Sequence, residues 1–294
     1  MEQVYKQMGI TRQAIWKSKR RDQEVQDEEE KIVEQVKQWR KRHPKMGSRA
    51  LFHSMKASDI SIGVGINKFE KIIKERGLQV GKAKSRKPKS SDGKGKKNYP
   101  NLTNGLELSD INQLIVLDVS YIWIENQWYY IFAIKDAYSQ RMTIVPSKDK
   151  GAKNALACLR KFAKLRGDNA LNGCIHHSDN GSEYAWGPYL KALEEYNMLI
   201  SRSKGCKENG SAEQAHNISK NMYLEPWGIN TYEKLVKASK EFEYLNNNER
   251  AIKQLGNMTV HQFELSLKEI PKEQRMKRRL HDFQNNIRGG FEEA

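Results

Sequence analysis

The chain has 294 residues, a formal charge of +16 and 30% charged residues, enough for one domain of ordinary size with one or two small ones. No apolar run nears the roughly 18 residues that span a bilayer, residues 1–7 lack the apolar core of a secretion signal, and no basic stretch carries a matching large apolar face. Membrane partners are therefore excluded, and three cysteines that cannot pair evenly (Cys158, Cys174, Cys206) fit a reducing, cytoplasmic setting.

The charge is unevenly placed. Residues 1–100 hold 26 Lys+Arg against 12 Asp+Glu, whereas the remaining 194 hold 26 against 24. One end is thus a footprint for a polyanion, with nucleic acid the leading partner.

In chain order, residues 1–80 read as an all-α region of helix-turn-helix type. Gly9 marks a turn, Thr11 an N-cap, and Ile15 and Trp16 apolar anchors of a first helix ending near Arg21. Asp27 to Glu30 form a capping-box pattern that opens a second helix, with Ile32, Val33, Val36 and Trp39 on one face. Ile66, Phe69, Ile72 and Ile73 repeat that spacing before Gly77, a left-handed C-cap. Arg12 and Trp16 on the first helix, and Lys68, Lys71 and Lys74 on the outer side of the last, are the candidate DNA contacts. Residues 81–105 form a basic linker. Its stretch 82–97 carries eight basic residues, including Lys84, Arg86 and Lys87, among Gly, Ser and Pro. Such a segment buries too little apolar surface to order itself and would lie along phosphates.

Residues 106–246 change pattern. Leu114–Ile122, Trp128–Ile134 and Arg141–Val145 read as strands joined by short turns, hence antiparallel neighbours. A helix with Ala152, Leu156, Leu159 and Phe162 inward follows. Next come a buried strand at 173–178, a helix at 189–196, a strand at 198–201, the loop 203–210 and a helix from about Ser211. Three antiparallel strands followed by alternating helix and strand predict an α/β mixed sheet flanked by helices, the ribonuclease-H-like order. Residues 247–294 read as a C-terminal tail, and beyond about 265 no chemistry is legible.

Three acids stand out. Asp118 interrupts the apolar strand L-I-V-L-D-V-S-Y-I, where an ionised carboxylate is costly unless paired or liganded. Asp179 follows the strand ending at Ser178, at the carboxyl edge where α/β sheets place their sites. Glu213 lies in the first turn of a helix, with Asn217 and Lys220 sharing its face. Convergent carboxylates without a basic partner call for hard divalent cations. Two Mg²⁺ ions, or Mn²⁺ in their place, can activate an attacking oxygen and stabilise a leaving one in phosphodiester chemistry. Cys174, His176, His177 and Cys206 match none of the usual zinc spacings. Glu208 is the rival acid to Glu213.

These segments carry a resemblance. H-P-K-M-G-S-R-A-L (His43–Leu51), L-D-V-S-Y-I at Asp118, K-D-A-Y-S (Lys135–Ser139), H-S-D-N-G-S-E-Y at Asp179 and A-E-Q-A-H-N-I-S-K at Glu213 resemble an OrfB-type transposase of the insertion-sequence-3 family. L-N-N-N-E-R (Leu245–Arg250), Leu255 and Thr259 extend the likeness, and that family's catalytic domain is similar to retroviral integrases. The resemblance implies a DDE transposase whose triad Asp118, Asp179 and Glu213 cuts DNA at inverted-repeat ends and transfers the strand. Asn217 and Lys220, on the Glu213 face by helical spacing, are the candidate DNA contacts beside the triad; the resemblance also implies a homo-oligomer on element ends and target, and fusion to an upstream-frame partner. The 33 residues between Asp179 and Glu213 are slightly fewer than usual in that family. Ile252 stands where its members commonly have His, and Val260 where they have Pro. A catalytically idle, domesticated DNA-binding protein and a nuclease that hydrolyses without joining are the alternatives.

Overall fold

The computed structural model describes residues 9, 11–81, 99–167, 169–203, 210–282, 285 and 289–292. Its first element, α1, runs unbroken from Arg12 to Arg42. Thr11 caps it as expected, its side chain accepting from the Ala14 amide. The expected boundary at Asp27 is absent, because no Gly or Pro occurs between positions 12 and 42 and nothing in that stretch breaks a helix. Pairs one turn apart, Arg20–Glu24 at 2.9 Å and Gln23–Asp27 at 2.8 Å, extend it through the polar middle. The expected anchors do little packing: Ile15 is half-buried and Trp16 is 60% exposed. The burial lies further on, where Ile32, Val33, Val36 and Trp39 meet α2 (Ser48–Ala57) and α3 (Ile66–Glu75) in one apolar cluster. Gly77 has the left-handed φ of +65° expected of it.

After β1 (Glu107–Leu108), the body is a five-stranded sheet of β2 (Leu114–Ile124), β3 (Gln127–Asp136), β4 (Met142–Ser147), β5 (Ile175–Ser178) and β6 (Leu199–Arg202), ordered β4-β3-β2-β5-β6. β2, β3 and β4 are antiparallel neighbours, while β5 and β6 run parallel to β2. This is the ribonuclease-H-like mixed sheet that the sequence predicts. The β2–β3 turn is Glu125–Asn126, both at positive φ, the two-residue geometry that matches strand twist. Helices α4 (Ala152–Arg166) and α5 (Gly187–Glu195) cover one face, through Leu117, Phe132, Ile134, Leu159, Phe162 and Leu193. The other face meets α6 (Gly210–His216), a π-helix (Asn217–Leu224) and α7 (Tyr232–Asn248), through Ile131, Ala133, Ala215, Ile218 and Phe242.

Contacts continue beyond the body on both sides among the described residues. Pro100 and Leu102 bond along β6, to the Arg202 amide and the Ser201 hydroxyl. At the far end α8 (Val260–Ser266) opens on a capping box formed by Thr259 and Gln262. Then β7 (Lys277–Arg279) pairs with β1 and with β8 (Gly290–Glu292) in a second small sheet.

His43, from the H-P-K-M-G segment, fastens the helical region to the body. It is fully buried, with Nδ1 2.8 Å from the Tyr223 hydroxyl and Nε2 3.2 Å from the Glu249 carboxylate, and it stacks on Trp39. The Ala251 amide donates to Ser54 Oγ and Gln262 Nε2 to the Ala57 carbonyl across the same seam. Burial lowers the His43 pKa below its usual 6.5 despite Glu249. His176, buried against the Tyr189 hydroxyl at 2.7 Å, is pushed down to about 3 by burial, then by Arg202 and His177. A histidine with a depressed folded pKa binds its proton first in the unfolded chain. Its influence is therefore nil above the unfolded value of 6.5 and destabilising as pH falls below it, at up to roughly 1.4 kcal/mol per pH unit per histidine. Thermal melting should accordingly drop between pH 7.5 and pH 5, and drop less in His176→Gln. Equal drops in both proteins would exclude His176 as a source.

Candidate active site

Strand alternation decides where the first acid points. Asp118 sits opposite Ala133 on β3, on the sheet face that meets α6 and the π-helix. β5 pairs only with Leu114 to Leu117 of β2, so Asp118 is the first β2 residue beyond that pairing. Its Oδ1 accepts from the Val119 amide at 2.8 Å. Asp179 comes directly after the β5 residue Ser178, on the neighbouring strand and at the same end. Its Oδ1 accepts the Gly181 amide at 2.9 Å, which fixes the D-N-G turn. Arg202, 4% exposed at the end of β6, bonds Ser178 Oγ and, at 2.7 Å, the Tyr184 carbonyl. It thereby clamps both ends of the segment that carries Asp179. Glu213 is exposed in the first turn of α6, while Ala212 and Ala215 bury the opposite side of that turn.

Electrostatics ties the three together. Burial raises the Asp179 pKa, and the charge of Asp118 raises it further; Glu183 adds to this and Lys150 opposes it. Burial likewise raises Glu213, and Asp118 is again the next cause, with His216 opposing. Asp118 is thus the charge that both other carboxylates feel. Among the described residues, no three His, Cys, Asp or Glu side chains converge closely enough to hold a metal ion. The donor chemistry fits a hard divalent cation all the same: three carboxylates, two of them held at raised pKa by burial and by the charge of Asp118, on an open face.

Two neighbours escaped the sequence reading. His216 Nε2 lies 3.3 Å from Asp118 Oδ2, and its place one turn after Glu213 was the available signal. Glu183, only 6% exposed, adds a fourth acid beside Asp179 and pairs with Lys150 at 3.5 Å. Lys220 does not simply continue the Glu213 face, because a π-helix runs on from Asn217 and changes the phase. Asn217 is exposed and accepts from Asn221 at 2.8 Å. Lys220 turns its ammonium to the Tyr121 ring, 5.3 Å from the centroid, and to Glu225 at 3.6 Å.

The remaining expected DNA contacts lie elsewhere. Arg12 and Trp16 are exposed on α1, the latter beneath the Arg20 guanidinium. Lys68, Lys71 and Lys74 are exposed on α3, with Lys68 3.6 Å from Glu29 and Lys71 3.8 Å from Glu75. Lys84, Arg86 and Lys87 fall outside the described residues, as do Cys206 and Glu208. Of the discounted zinc set, Cys174 is a buried thiol, and His176 and His177 bond the Tyr189 and Ser201 hydroxyls. No helix among the described residues is long and apolar enough to cross a membrane.

Residues 109–205 match the family model of the integrase core domain. The match includes Asp118 and Asp179 and stops short of Glu213. The chain is 26% identical over 242 residues to the 31 kDa protein of insertion element IS600 from Shigella sonnei, covering 81% of this chain and 88% of that protein. Among solved structures it is similar to the HTLV-2 integrase catalytic core domain in complex with magnesium, at 15% identity over 52% of this chain and 97% of that one (TM-score 0.43). It is also similar to a chain of the simian T-cell lymphotropic virus intasome, at 14% identity over 76% of each chain (TM-score 0.48).

Proposed function

We propose that this chain, an insertion-element relative built round an integrase core domain, is a transposase that cuts and joins DNA at the inverted-repeat ends of its element. The observation that carries this reading is the position of Asp118 as the charge common to Asp179 and Glu213, on strands and a helix in the expected order. Asp118, Asp179 and Glu213 would hold two Mg²⁺ ions, with Mn²⁺ as a substitute. Bound there, such cations supply charge neutralisation at the attacking and leaving oxygens of an in-line phosphoryl displacement. The rest belongs to the protein. Arg202 and the Gly181 amide keep Asp179 aimed. Lys220, beside Tyr121, offers a cation to the DNA backbone, and the basic helical region adds sequence-independent phosphate affinity. Joining two ends to a target implies a homo-oligomer on DNA.

A second reading, an idle DNA-binding descendant, draws support from the contact of His216 with Asp118. One experiment separates them: labelled DNA carrying the gene's own flanking sequence, incubated with Mg²⁺, Mn²⁺ or EDTA, with Asp118→Asn beside the natural protein. Metal-dependent nicking or joining that the variant lacks supports the transposase. Binding with no cutting under any metal supports the idle protein.

A further inference from the structure

Lys135, from the K-D-A-Y-S segment, takes no part in the site above, yet it is 1% exposed. On β3 it sits opposite Val116, two residues before Asp118 and on the same sheet face. Its ammonium has three protons to donate and, among the described residues, one hydrogen-bond partner, Gln214 Oε1 at 2.8 Å. The carboxylate nearest in sequence, Asp136, is committed elsewhere, accepting the amides of Asn112, Tyr138 and Ser139 and the Arg166 guanidinium. Beside Lys135 lies a cavity of about 230 Å³, open to solvent, between β3, β4, α6 and the segment that follows α7. Gln140, Arg250, Lys253 and Gln254 also line it, and among the described residues no Asp or Glu does. Arg250 is as poorly matched as Lys135. Among the described residues its Nε is sealed from solvent with no hydrogen-bond partner, and its one side-chain bond is a long 3.4 Å contact to Asn246.

Two cations facing one cavity whose described lining holds no carboxylate repel each other, and burying charge unpaired costs several kcal/mol. Their proton affinities reflect this: burial lowers both pKa values, and Arg278 and then Arg250 lower that of Lys135 further, with Asp136 opposing. A small anion would convert the cost into attraction. Guanidinium and ammonium together suit a tetrahedral oxyanion, and the amide groups of Gln214 and Gln254 supply neutral donors.

We propose that the cavity lined by Lys135, Arg250, Lys253 and Gln214 is a phosphate site, filled by a backbone phosphate of bound DNA or by free inorganic phosphate. It does not rest on the carboxylate triad, so a chain that never cuts DNA can still bind phosphate here.

The test begins with thermal melting of the full chain in sodium chloride and in sodium phosphate at matched ionic strength. Phosphate should raise Tm saturably in the natural protein. Lys135→Met should melt at or above the natural protein in chloride, since a buried uncompensated charge is gone, and should lose the phosphate increment. Arg250→Gln should lose it as well. The source is read from binding to a short random duplex across salt concentrations. A DNA phosphate in the site predicts that Lys135→Met lowers the log–log salt slope by about 0.9, whereas free phosphate predicts an unchanged slope with the melting effect retained. The proposal is overturned if the variants keep the full phosphate increment, or if the natural protein shows neither a saturable increment nor a slope that Lys135→Met reduces.

Discussion

Asp179→Asn is expected to lower Mg²⁺-dependent cutting by about 10²–10³-fold or more, the range seen when one preorganised electrostatic partner of a transition state is removed. DNA affinity and its salt slope should stay near those of the natural protein. Asn is isosteric and keeps a carbonyl oxygen for the Gly181 amide, so the D-N-G turn survives. What disappears is a charge that burial and Asp118 already disfavour. The sign for stability follows from that. A carboxylate whose folded pKa is raised weakens the fold where it is ionised in both states and ceases to do so as pH falls. The variant should therefore melt at or above the natural protein at pH 7. Cutting assays, fluorescence anisotropy and melting together decide it. Loss of cutting, binding and stability in concert would give Asp179 a structural role instead.

Arg166→Met should cost about 3–5 kcal/mol, the usual price of leaving a buried charge without its partner. At 6% side-chain exposure, Arg166 bridges Asp136 at 3.0 Å and Glu264 at 2.8 Å, and Arg141 closes on Glu264 at 2.7 Å. This network joins the end of α4 to the β3–β4 connection and to α8. With a domain of this size losing roughly 2–4 °C per kcal/mol, a fall of about 10 °C in Tm follows. Adding Asp136→Asn to Arg166→Met should restore part of the loss, because the stranded charge is then removed as well. A double variant no more stable than the sum of the two single ones would show that the pair is not coupled. The prediction separates two kinds of motif residue: Asp136 belongs to a segment that the resemblance singles out, yet all its acceptor capacity goes to the fold.

Legibility in the sequence followed periodicity. The strand holding Asp118, the strand that ends just before Asp179, and the apolar faces of α3, α4 and the second half of α1 could be read because alternation and helical spacing are local properties. Capping at Thr11, the short turn between the first two strands of the body and the left-handed Gly77 are local too. The single long helix was missed because a capping-box pattern at Asp27 looks the same whether or not a helix is already running, and only the lack of a breaker decides. The partners of His43, Lys135 and Arg166 lie far along the chain, and no window of sequence holds both sides of such a contact. The π-helix after His216 was equally hidden: its extra residue per turn redirects Lys220 to Tyr121 without any change in the apolar pattern.

The short pairing of β1 with β7 has a temporal consequence. Glu107 lies opposite Arg279, about 170 residues later, and at about 5–20 residues per second a ribosome needs roughly ten to thirty seconds to deliver the second strand. The five-stranded sheet, complete by Arg202, and the helices up to α7 can assemble in that interval, whereas the small sheet must wait. Leu108, 1% exposed in the finished molecule, is among the last core side chains to lose contact with water. A two-residue strand offers too short a ladder to recruit a neighbouring nascent chain meanwhile. The closing step is thus late in synthesis and carries little risk of mispairing.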